Sequence, residues 1–308
     1  MFSRRGFLGT SLWAGAGLAL GPVAASARAA DATTAALRTR AVPGSGETLP
    51  VIGAGTSGSF ETRIGSSEYH RLKQVMKIFF DAGATVFDTS PNYGGADAVL
   101  GALLEEGGWR ERCFLATKIA ADSRAEGEAQ WARSLKALRT DHVELLQVHN
   151  LRDWKTQLPL ARELKKQGKT RYVGVTHYLQ SGLDEMAGIL RSEPLDFIQI
   201  NYSVNAPEAA KTVLPLARDK GVAVLINRAY DDGRLFRAVK GKPLPGWASE
   251  AGIGSWAQLF LKFALSHPAT TAVIPASSKP EHQIDNLKAG RGPLLSDAQQ
   301  RQLAGMDW

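Results

Sequence analysis

The chain has almost no cysteine and, after its first thirty residues, no long apolar run. Cys113 is the single cysteine among 308 residues, so no intramolecular disulfide can form, and its apolar setting "RCFLATKIA" predicts a buried small side chain. No later stretch approaches the ~18 consecutive apolar residues that a membrane-spanning helix needs. A disulfide-built scaffold is excluded, and no stable membrane anchor is expected after the first thirty residues.

Acidic residues are missing from positions 1–30, and charge of one sign is only mildly in excess elsewhere. The formal net charge is +7, and removing Arg4, Arg5 and Arg28 leaves +4. This excess is scattered through helical segments such as "ELKKQGK", which predicts no nucleic-acid partner and no membrane-surface binding. A chain of this length with 44% hydrophobic and 22% charged residues has an ordinary globular composition and can bury a large core.

The first thirty residues form a candidate targeting segment. They have a charged start, an apolar middle rich in glycine and alanine, and small residues at positions 25, 27 and 29. Within them "SRRGFL" resembles the twin-arginine export signal, which implies a bacterial chain that the twin-arginine machinery carries, already folded, to the periplasm or another exported compartment. The alternative is an ordinary signal peptide or an amphipathic anchor that happens to hold two arginines. We therefore expect a signal peptide over residues 1–29 and a flexible lead-in over residues 30–48.

Short apolar runs rich in β-branched residues alternate with amphipathic stretches over residues 49–308. Such alternation predicts parallel strands joined by right-handed helical crossovers, and eight units in roughly 230 residues favour a closed (β/α)8 TIM barrel of the α/β class. An open doubly wound sheet is the alternative, but "GAGTSG" at 53–58 is only a loose version of its phosphate loop. The predicted strands are residues 49–56, 85–90, 113–119, 143–150, 171–178, 196–203, 222–227 and 271–278.

One connection in this pattern is unusually long. Residues 228–254 separate the seventh predicted strand from its helix. Loops of that length are often functional lids, although a solvated surface excursion remains open.

Four polar residues follow or close three neighbouring predicted strands. Asp88 and Tyr93 follow the second strand, Lys118 closes the third and His149 closes the fourth. Because the active face of a TIM barrel is built at the carboxyl ends of its strands, these side chains should meet at one sector of the rim. Each residue taken alone is more simply explained by packing or a salt bridge, whereas four at matched strand ends favour a site.

These residue types suit proton transfer to a carbonyl. A phenol with a pKa near ~10 is a poor proton donor at neutral pH, a lysine ammonium beside it lowers that pKa, and an aspartate keeps the lysine charged. A histidine can orient the carbonyl or relay the proton. Since the chain has no cysteine pair, haem motif or metal-ligand spacing to supply electrons, hydride from a nicotinamide cofactor is the favoured source.

The motifs "FDTSPNYG", "FLATKI" and "ELLQVHN" resemble those of the aldo-keto reductase superfamily, and the likeness runs from about residue 49 to 290. The resemblance implies that Tyr93 is the general acid, that Lys118 and Asp88 tune it, and that His149 orients a small carbonyl or alcohol substrate. It also implies NADP(H) as the preferred cofactor, with NAD(H) as the alternative.

The same resemblance extends to a cofactor site. "GVTHY" and "IQINYS" resemble the segments whose side chains bind the carboxamide of the nicotinamide. "IPASSKPEHQIDN" resembles the segment that holds the adenosine phosphate, near a helix start that suits an anion. The residues implied are Thr176, His177, Gln199, Asn227, Ser277, Lys279, His282 and Asn286.

Three departures bear on cofactor preference. Asn227 and Arg228 stand where many relatives have an aromatic residue that stacks on the nicotinamide, so Tyr230 is a candidate replacement. His177 replaces a common asparagine, and His282 replaces an arginine common in NADPH-specific members and is a weaker, pH-dependent partner for a 2′-phosphate.

Two other readings stay open. One is an exported, non-redox binding or regulatory protein on the same barrel, because a fold alone does not determine function. The other is different chemistry with the same tyrosine, such as sugar oxidation or elimination. Trp109, Tyr178 and Trp247 are candidate walls of the substrate pocket, and burial in the core is the alternative for each.

Overall fold

Eight parallel strands form one sheet in the computed structural model, which describes residues 36–308. The expected signal peptide and the first residues of the expected lead-in lie outside these described residues. The order of the sheet follows the order of the chain, and each strand pairs in parallel with its neighbours.

The strands of the barrel and the helices that connect them alternate along the chain. The barrel strands are β3 (Ala54–Gly55), β4 (Val86–Asp88), β5 (Phe114–Ile119), β6 (Val143–Val148), β7 (Thr170–Thr176), β8 (Phe197–Asn201), β9 (Ala223–Asn227) and β10 (Ala272–Val273). The helices are α1 (Ser67–Asp81), α2 (Ala96–Gly107), α3 (Arg124–Leu138), α4 (Trp154–Lys166), α5 (Leu183–Ser192), α6 (Val213–Asp219), α7 (Arg234–Ala238), α8 (Trp256–Ser266), α9 (Pro280–Ala289) and α10 (Asp297–Ala304).

The barrel closes where the first strand meets the last. Ile52 bridges to Val273 and Gly55 to Ala276, both in parallel, and the Gly53 amide donates to the Val273 carbonyl at 2.8 Å. Every β5 and β6 residue is buried, as expected for strands covered on both faces. The predicted (β/α)8 TIM barrel is confirmed.

A short antiparallel hairpin precedes the barrel. It consists of β1 (Thr39–Ala41) and β2 (Thr48–Pro50). Val42 and Leu49 are buried in one apolar cluster with Phe114, a barrel residue. Arg40 donates to the backbone carbonyls of Leu265 and His267. The expected flexible lead-in is therefore wrong for residues 39–48, because this apolar burial and these hydrogen bonds order them.

Helix boundaries follow local chemistry that the sequence shows. Ser66 caps α1 by accepting from the Tyr69 amide at 3.1 Å, and Ser296 opens α10 with a reciprocal capping box to Gln299. Gly83 follows α1 with φ of +83°, a left-handed conformation that glycine adopts without steric strain. Gly83 therefore suits the position directly after the end of α1.

The long connection over residues 228–254 is partly helical. It carries α7 and two 3-10 turns, Asp231–Gly233 and Gly246–Ala248. Its first part faces the carboxyl ends of the strands, and in its second part Trp247 donates to Gln302 of α10 at 2.7 Å. The segment is therefore a cavity wall at one end and a packed outer layer at the other.

Candidate active site

The four predicted residues meet at the carboxyl ends of β4, β5 and β6. Asp88 ends β4, Lys118 lies near the end of β5, and His149 directly follows β6, while Tyr93 is carried by the turn after β4. The register places Asp88 beside Ala116 and Lys118 beside Gln147, so neighbouring strands end at a common level.

Asp88 and Lys118 form a buried ion pair. The Lys118 Nζ donates to Asp88 Oδ2 at 2.6 Å and to the Thr89 carbonyl at 2.8 Å. The other carboxylate oxygen of Asp88 accepts from Gln147 Nε2 at 3.2 Å and Gln199 Nε2 at 2.8 Å. Since both oxygens are occupied, the carboxylate is held in one orientation and the ammonium is fixed beside Tyr93.

Tyr93 lies against this pair and stays protonated at neutral pH. The Lys118 Nζ is 5.1 Å from the centre of the Tyr93 ring. Burial raises the pKa of Tyr93, and the Lys118 charge lowers it without offsetting that effect. The expected net lowering of this pKa is therefore wrong for the protein alone, because desolvation of the phenolate outweighs the attraction of the ammonium.

His149 lies edge-on to Tyr93 and is neutral. The two ring centres are 5.7 Å apart with an interplanar angle of 83°. Burial first, and then the positive charge of Lys118, lowers the pKa of His149 to about 3. Its Nδ1 lies 3.1 Å from the hydroxyl oxygen of buried Ser90. A neutral imidazole has one donor nitrogen and one acceptor nitrogen, so His149 Nδ1 either donates to Ser90 or accepts from it, according to which nitrogen holds the proton.

A cavity of about 830 Å³ opens onto these side chains. Asp88, Tyr93 and His149 line it, and Lys118 lies behind them, with a side chain that is completely buried. The lining also includes the apolar and aromatic residues Tyr230, Phe236 and Ile274. A cavity that combines apolar side chains with a few polar groups is the usual character of a site for a small molecule.

Three of the predicted cofactor residues line the cavity. Thr176 ends β7, and Gln199 and Asn227 lie on β8 and β9. Gln199 Oε1 accepts from Asn227 Nδ2 at 3.3 Å while Gln199 Nε2 donates to Asp88. Asn227 Oδ1 is buried without a hydrogen-bond partner among residues 36–308. The wall thus holds amide and hydroxyl groups available to a ligand.

The other five predicted cofactor residues do not line the cavity. His177 accepts from the Leu179 amide through Nδ1 at 3.1 Å and stacks on Tyr178. Buried Asn286 accepts from the Tyr230 hydroxyl at 2.6 Å, which places Tyr230 firmly in the cavity wall. Ser277, Lys279 and His282 lie at the start of α9, directly after Ala276, which borders the cavity.

Several functional residues escaped the sequence analysis. Gln147 and Ser90 are each two positions from a predicted residue, and the two-residue period of a strand could have placed Gln147 on the face of His149. Of the candidate pocket walls, Tyr178 lines the cavity, while Trp109 packs on Phe80 in the core. The other polar lining residues, for which no role in the site was predicted, are Thr56, Ser57, Asn92, Asn150, Arg228 and Asp232.

Comparison with known proteins identifies the family. Residues 51–307 match the model of the aldo/keto reductase family, so the chain belongs to that family. No helix within residues 36–308 has both the length and the apolar character needed to cross a membrane.

Among curated relatives, the chain is similar to the aldo-keto reductase YhdN of Bacillus subtilis, with 30% identity over 60% of this chain and 59% of that protein. It is also similar to the NADH-specific methylglyoxal reductase of Escherichia coli, with 24% identity over 54% of this chain and 58% of that protein. The chain therefore spans about three fifths of the length of these relatives.

A solved aldo-keto reductase from Klebsiella pneumoniae in complex with NADPH has the same fold. Its TM-score is 0.73 with 23% identity, and the match covers 87% of this chain and 94% of that one. This likeness shows the barrel independently of sequence motifs.

Proposed function

We propose that this protein is an oxidoreductase that moves hydride between NAD(P)(H) and a small carbonyl or alcohol, with Tyr93 as general acid. The observation that carries the proposal is the meeting of Tyr93, His149 and the Lys118–Asp88 pair at one corner of one cavity. Membership of the aldo/keto reductase family supports the same reaction class.

The residues of the cavity fit a nicotinamide dinucleotide. The carboxamide of a nicotinamide needs both donors and acceptors, and the buried, unpartnered Asn227 Oδ1 lies in the wall beside Gln199 and Thr176. Tyr230 supplies an aromatic side chain to the same wall. The segment after β10 leads from Ala276 to the start of α9, where Ser277 and Lys279 would hold a phosphate. When bound, the reduced nicotinamide supplies the hydride.

The protein's own residues supply the proton and the orientation. Tyr93 remains protonated at neutral pH and so can donate to the oxygen of a carbonyl as negative charge develops there. Lys118 stabilises the resulting phenolate, because its ammonium is held charged by Asp88 at 2.6 Å. His149, which is neutral and faces the same cavity, orients the carbonyl oxygen toward Tyr93.

NADP(H) is the preferred cofactor in this proposal, and NAD(H) is the alternative. A protein of this fold is solved with NADPH, and a relative is named as NADH-specific. Lys279 at the start of α9 favours the additional phosphate of NADP(H), whereas His282 in place of an arginine weakens that preference. Fluorescence titration of residues 30–308 with NADPH and with NADH measures both affinities.

Replacing Tyr93 by phenylalanine tests the role of the phenol. We expect Tyr93→Phe to lower kcat for carbonyl reduction by at least about 100-fold, because a general acid contributes on the order of 10² to 10⁴ in rate, while the Kd for NADPH stays unchanged. Tyr202→Phe is the matched control, since Tyr202 is buried against Phe263 outside the cavity. Undiminished turnover in Tyr93→Phe would refute the mechanism.

We further propose that residues 1–29 direct the folded protein through the twin-arginine export machinery to the periplasm or an equivalent compartment. The support is the motif "SRRGFL" with the apolar and small-residue pattern that follows it. Cell fractionation of the full chain, compared with an Arg4→Lys/Arg5→Lys variant, tests this. Export that is equally efficient in the variant, or a cytoplasmic location of the unaltered chain, contradicts it.

A further inference from the structure

Ser90 is a buried hydroxyl group beside the candidate active site that no motif assigns to the reaction. It lies two residues after Asp88 and is fully shielded from solvent. Its Oγ is 3.1 Å from His149 Nδ1 and accepts from the Asn92 amide at 3.3 Å. No other hydrogen-bond partner of this hydroxyl exists among residues 36–308. The geometry around Ser90 Oγ therefore determines which nitrogen of His149 carries a proton.

The hydrogen-bond count allows one arrangement in which every group is satisfied. A serine hydroxyl has one proton to donate and two lone pairs. The Asn92 amide can only donate, so it occupies one lone pair of Ser90 Oγ. If His149 carried its proton on Nδ1, that N–H would occupy the second lone pair, and the hydroxyl proton of Ser90 would be buried without an acceptor.

The opposite arrangement has no such defect. With Nδ1 unprotonated, the Ser90 hydroxyl donates to it and still accepts from Asn92. A buried, unsatisfied hydroxyl proton is unfavourable enough to bias the equilibrium by about five- to 150-fold. Because burial keeps His149 neutral, its single proton then resides on Nε2. Nε2 makes no hydrogen bond to any described residue, and His149 lines the cavity.

We propose that Ser90 is a positioning residue that holds His149 as the Nε2–H tautomer, so that His149 and Tyr93 present two hydrogen-bond donors to one substrate oxygen. This inference rests on the proposed function only for its consequence in catalysis. Two donors aimed at one oxygen stabilise the negative charge that develops on it during reduction, as in an oxyanion hole. His149 is the catalytic group, and Ser90 acts through it.

The tautomer can be measured without any turnover. The protein labelled with nitrogen-15 histidine contains six histidines, and the His149 signals are identified by their loss in His149→Gln. At pH 7 we expect a directly bonded proton on Nε2 and none on Nδ1. A proton found on Nδ1 of His149 in the unaltered protein would overturn the proposal, whether or not the protein reduces carbonyls.

Variants of Ser90 then test the causal step. Ser90→Ala removes the donor to Nδ1, so we expect the two tautomers to become comparably populated. A measurable population then carries the proton on Nδ1, and kcat falls by about twofold, the loss of the Nε2–H fraction, with the Kd for NADPH unchanged. Ser90→Thr keeps a hydroxyl and should restore the Nε2–H signal and most of kcat. Ser134→Ala is the matched control, because it removes a buried serine hydroxyl on α3 that lies outside the cavity lining.

The two hypotheses fail in different ways. If the unaltered protein shows the Nε2–H signal but reduces no carbonyl, the proposed function fails and the structural role of Ser90 stands. An unchanged His149 signal in a folded Ser90→Ala protein would refute that role even if the enzyme is active. A Ser90→Ala protein that does not fold leaves the decision to the spectrum of the unaltered protein and to Ser90→Thr.

Discussion

The buried Asp88–Lys118 pair offers a quantitative test of how the site is held together. The two side chains are 3% and 0% exposed, and their charges are 2.6 Å apart. At an effective dielectric constant of about 20, this separation corresponds to a gross attraction of about 6 kcal/mol, much of which offsets the desolvation of the two charges. Removal of one partner therefore leaves the other charge buried with neutral hydrogen-bond partners only.

We expect Lys118→Met to lower the free energy of unfolding by about 3–5 kcal/mol, and Asp88→Asn to lower it by a similar amount. The double variant Asp88→Asn/Lys118→Met has no uncompensated charge, so it should lose several kcal/mol less than the sum of the two single losses. Urea unfolding followed by far-UV circular dichroism measures all four free energies. None of the three variants should reduce a carbonyl, because each loses part of the group that stabilises the Tyr93 phenolate.

The double-mutant cycle of Asp88→Asn and Lys118→Met shows whether the two residues act as one coupled unit. Independent sites give additive free-energy changes to within about 0.5 kcal/mol. Additive losses in the double variant, or a loss below about 1 kcal/mol in Lys118→Met, would refute the conclusion that this pair is a tightly coupled buried unit. The exposed pair Lys77–Asp81 is the matched control, and we expect Lys77→Met to change stability by less than about 1 kcal/mol.

Three further predictions concern pH, a second buried lysine and cofactor preference. The pKa of His149 is about 3 in the folded protein and about 6.5 when unfolded, so between these values the unfolded chain binds more protons and the free energy of unfolding falls as pH falls. Between pH 7 and 4.5, urea unfolding should therefore show His149→Gln losing about 2 kcal/mol less of this free energy than the unaltered protein. Equal losses in the two proteins would contradict this. Lys262 Nζ donates to the Arg291 and Pro293 carbonyls at 2.6 and 2.7 Å, so Lys262→Met should cost about 1–3 kcal/mol and lower Tm, whereas exposed Lys288→Met should not. Lys279→Ala should weaken NADPH binding about tenfold with little effect on NADH, and equal weakening would place Lys279 away from the 2′-phosphate.

The order of strands and the positions of the main catalytic candidates could be predicted from the sequence. Apolar runs of strand length, separated by helical periods, predict eight βα units, and the barrel follows because parallel strands need crossovers of one hand. Asp88, Lys118 and His149 could be placed on one rim because each ends a strand of that series. A local pattern suffices here, since the position of a strand end depends on its own residues.

Other features depend on contacts between distant segments. The hairpin of residues 39–50 consists of short strands whose burial comes from barrel residues such as Phe114. The position of the Tyr230 side chain in the cavity wall depends on the hydrogen bond from its hydroxyl to Asn286, 56 positions away. The role of Ser90 depends on the imidazole of His149, which is 59 positions away and becomes a neighbour only when β4, β5 and β6 lie side by side.

What the sequence by itself determined is the barrel, its family and the identity of the groups that can donate a proton, because strand periodicity and strand-end spacing are local properties. What only the tertiary structure decided is the protonation state of those groups. Lys118 beside Tyr93 was foreseeable, yet the pKa of Tyr93 lies above its usual value, because desolvation depends on how completely the surrounding chain excludes water. The neutral charge of His149 has the same cause, since burial in a cavity wall is a property of the whole fold.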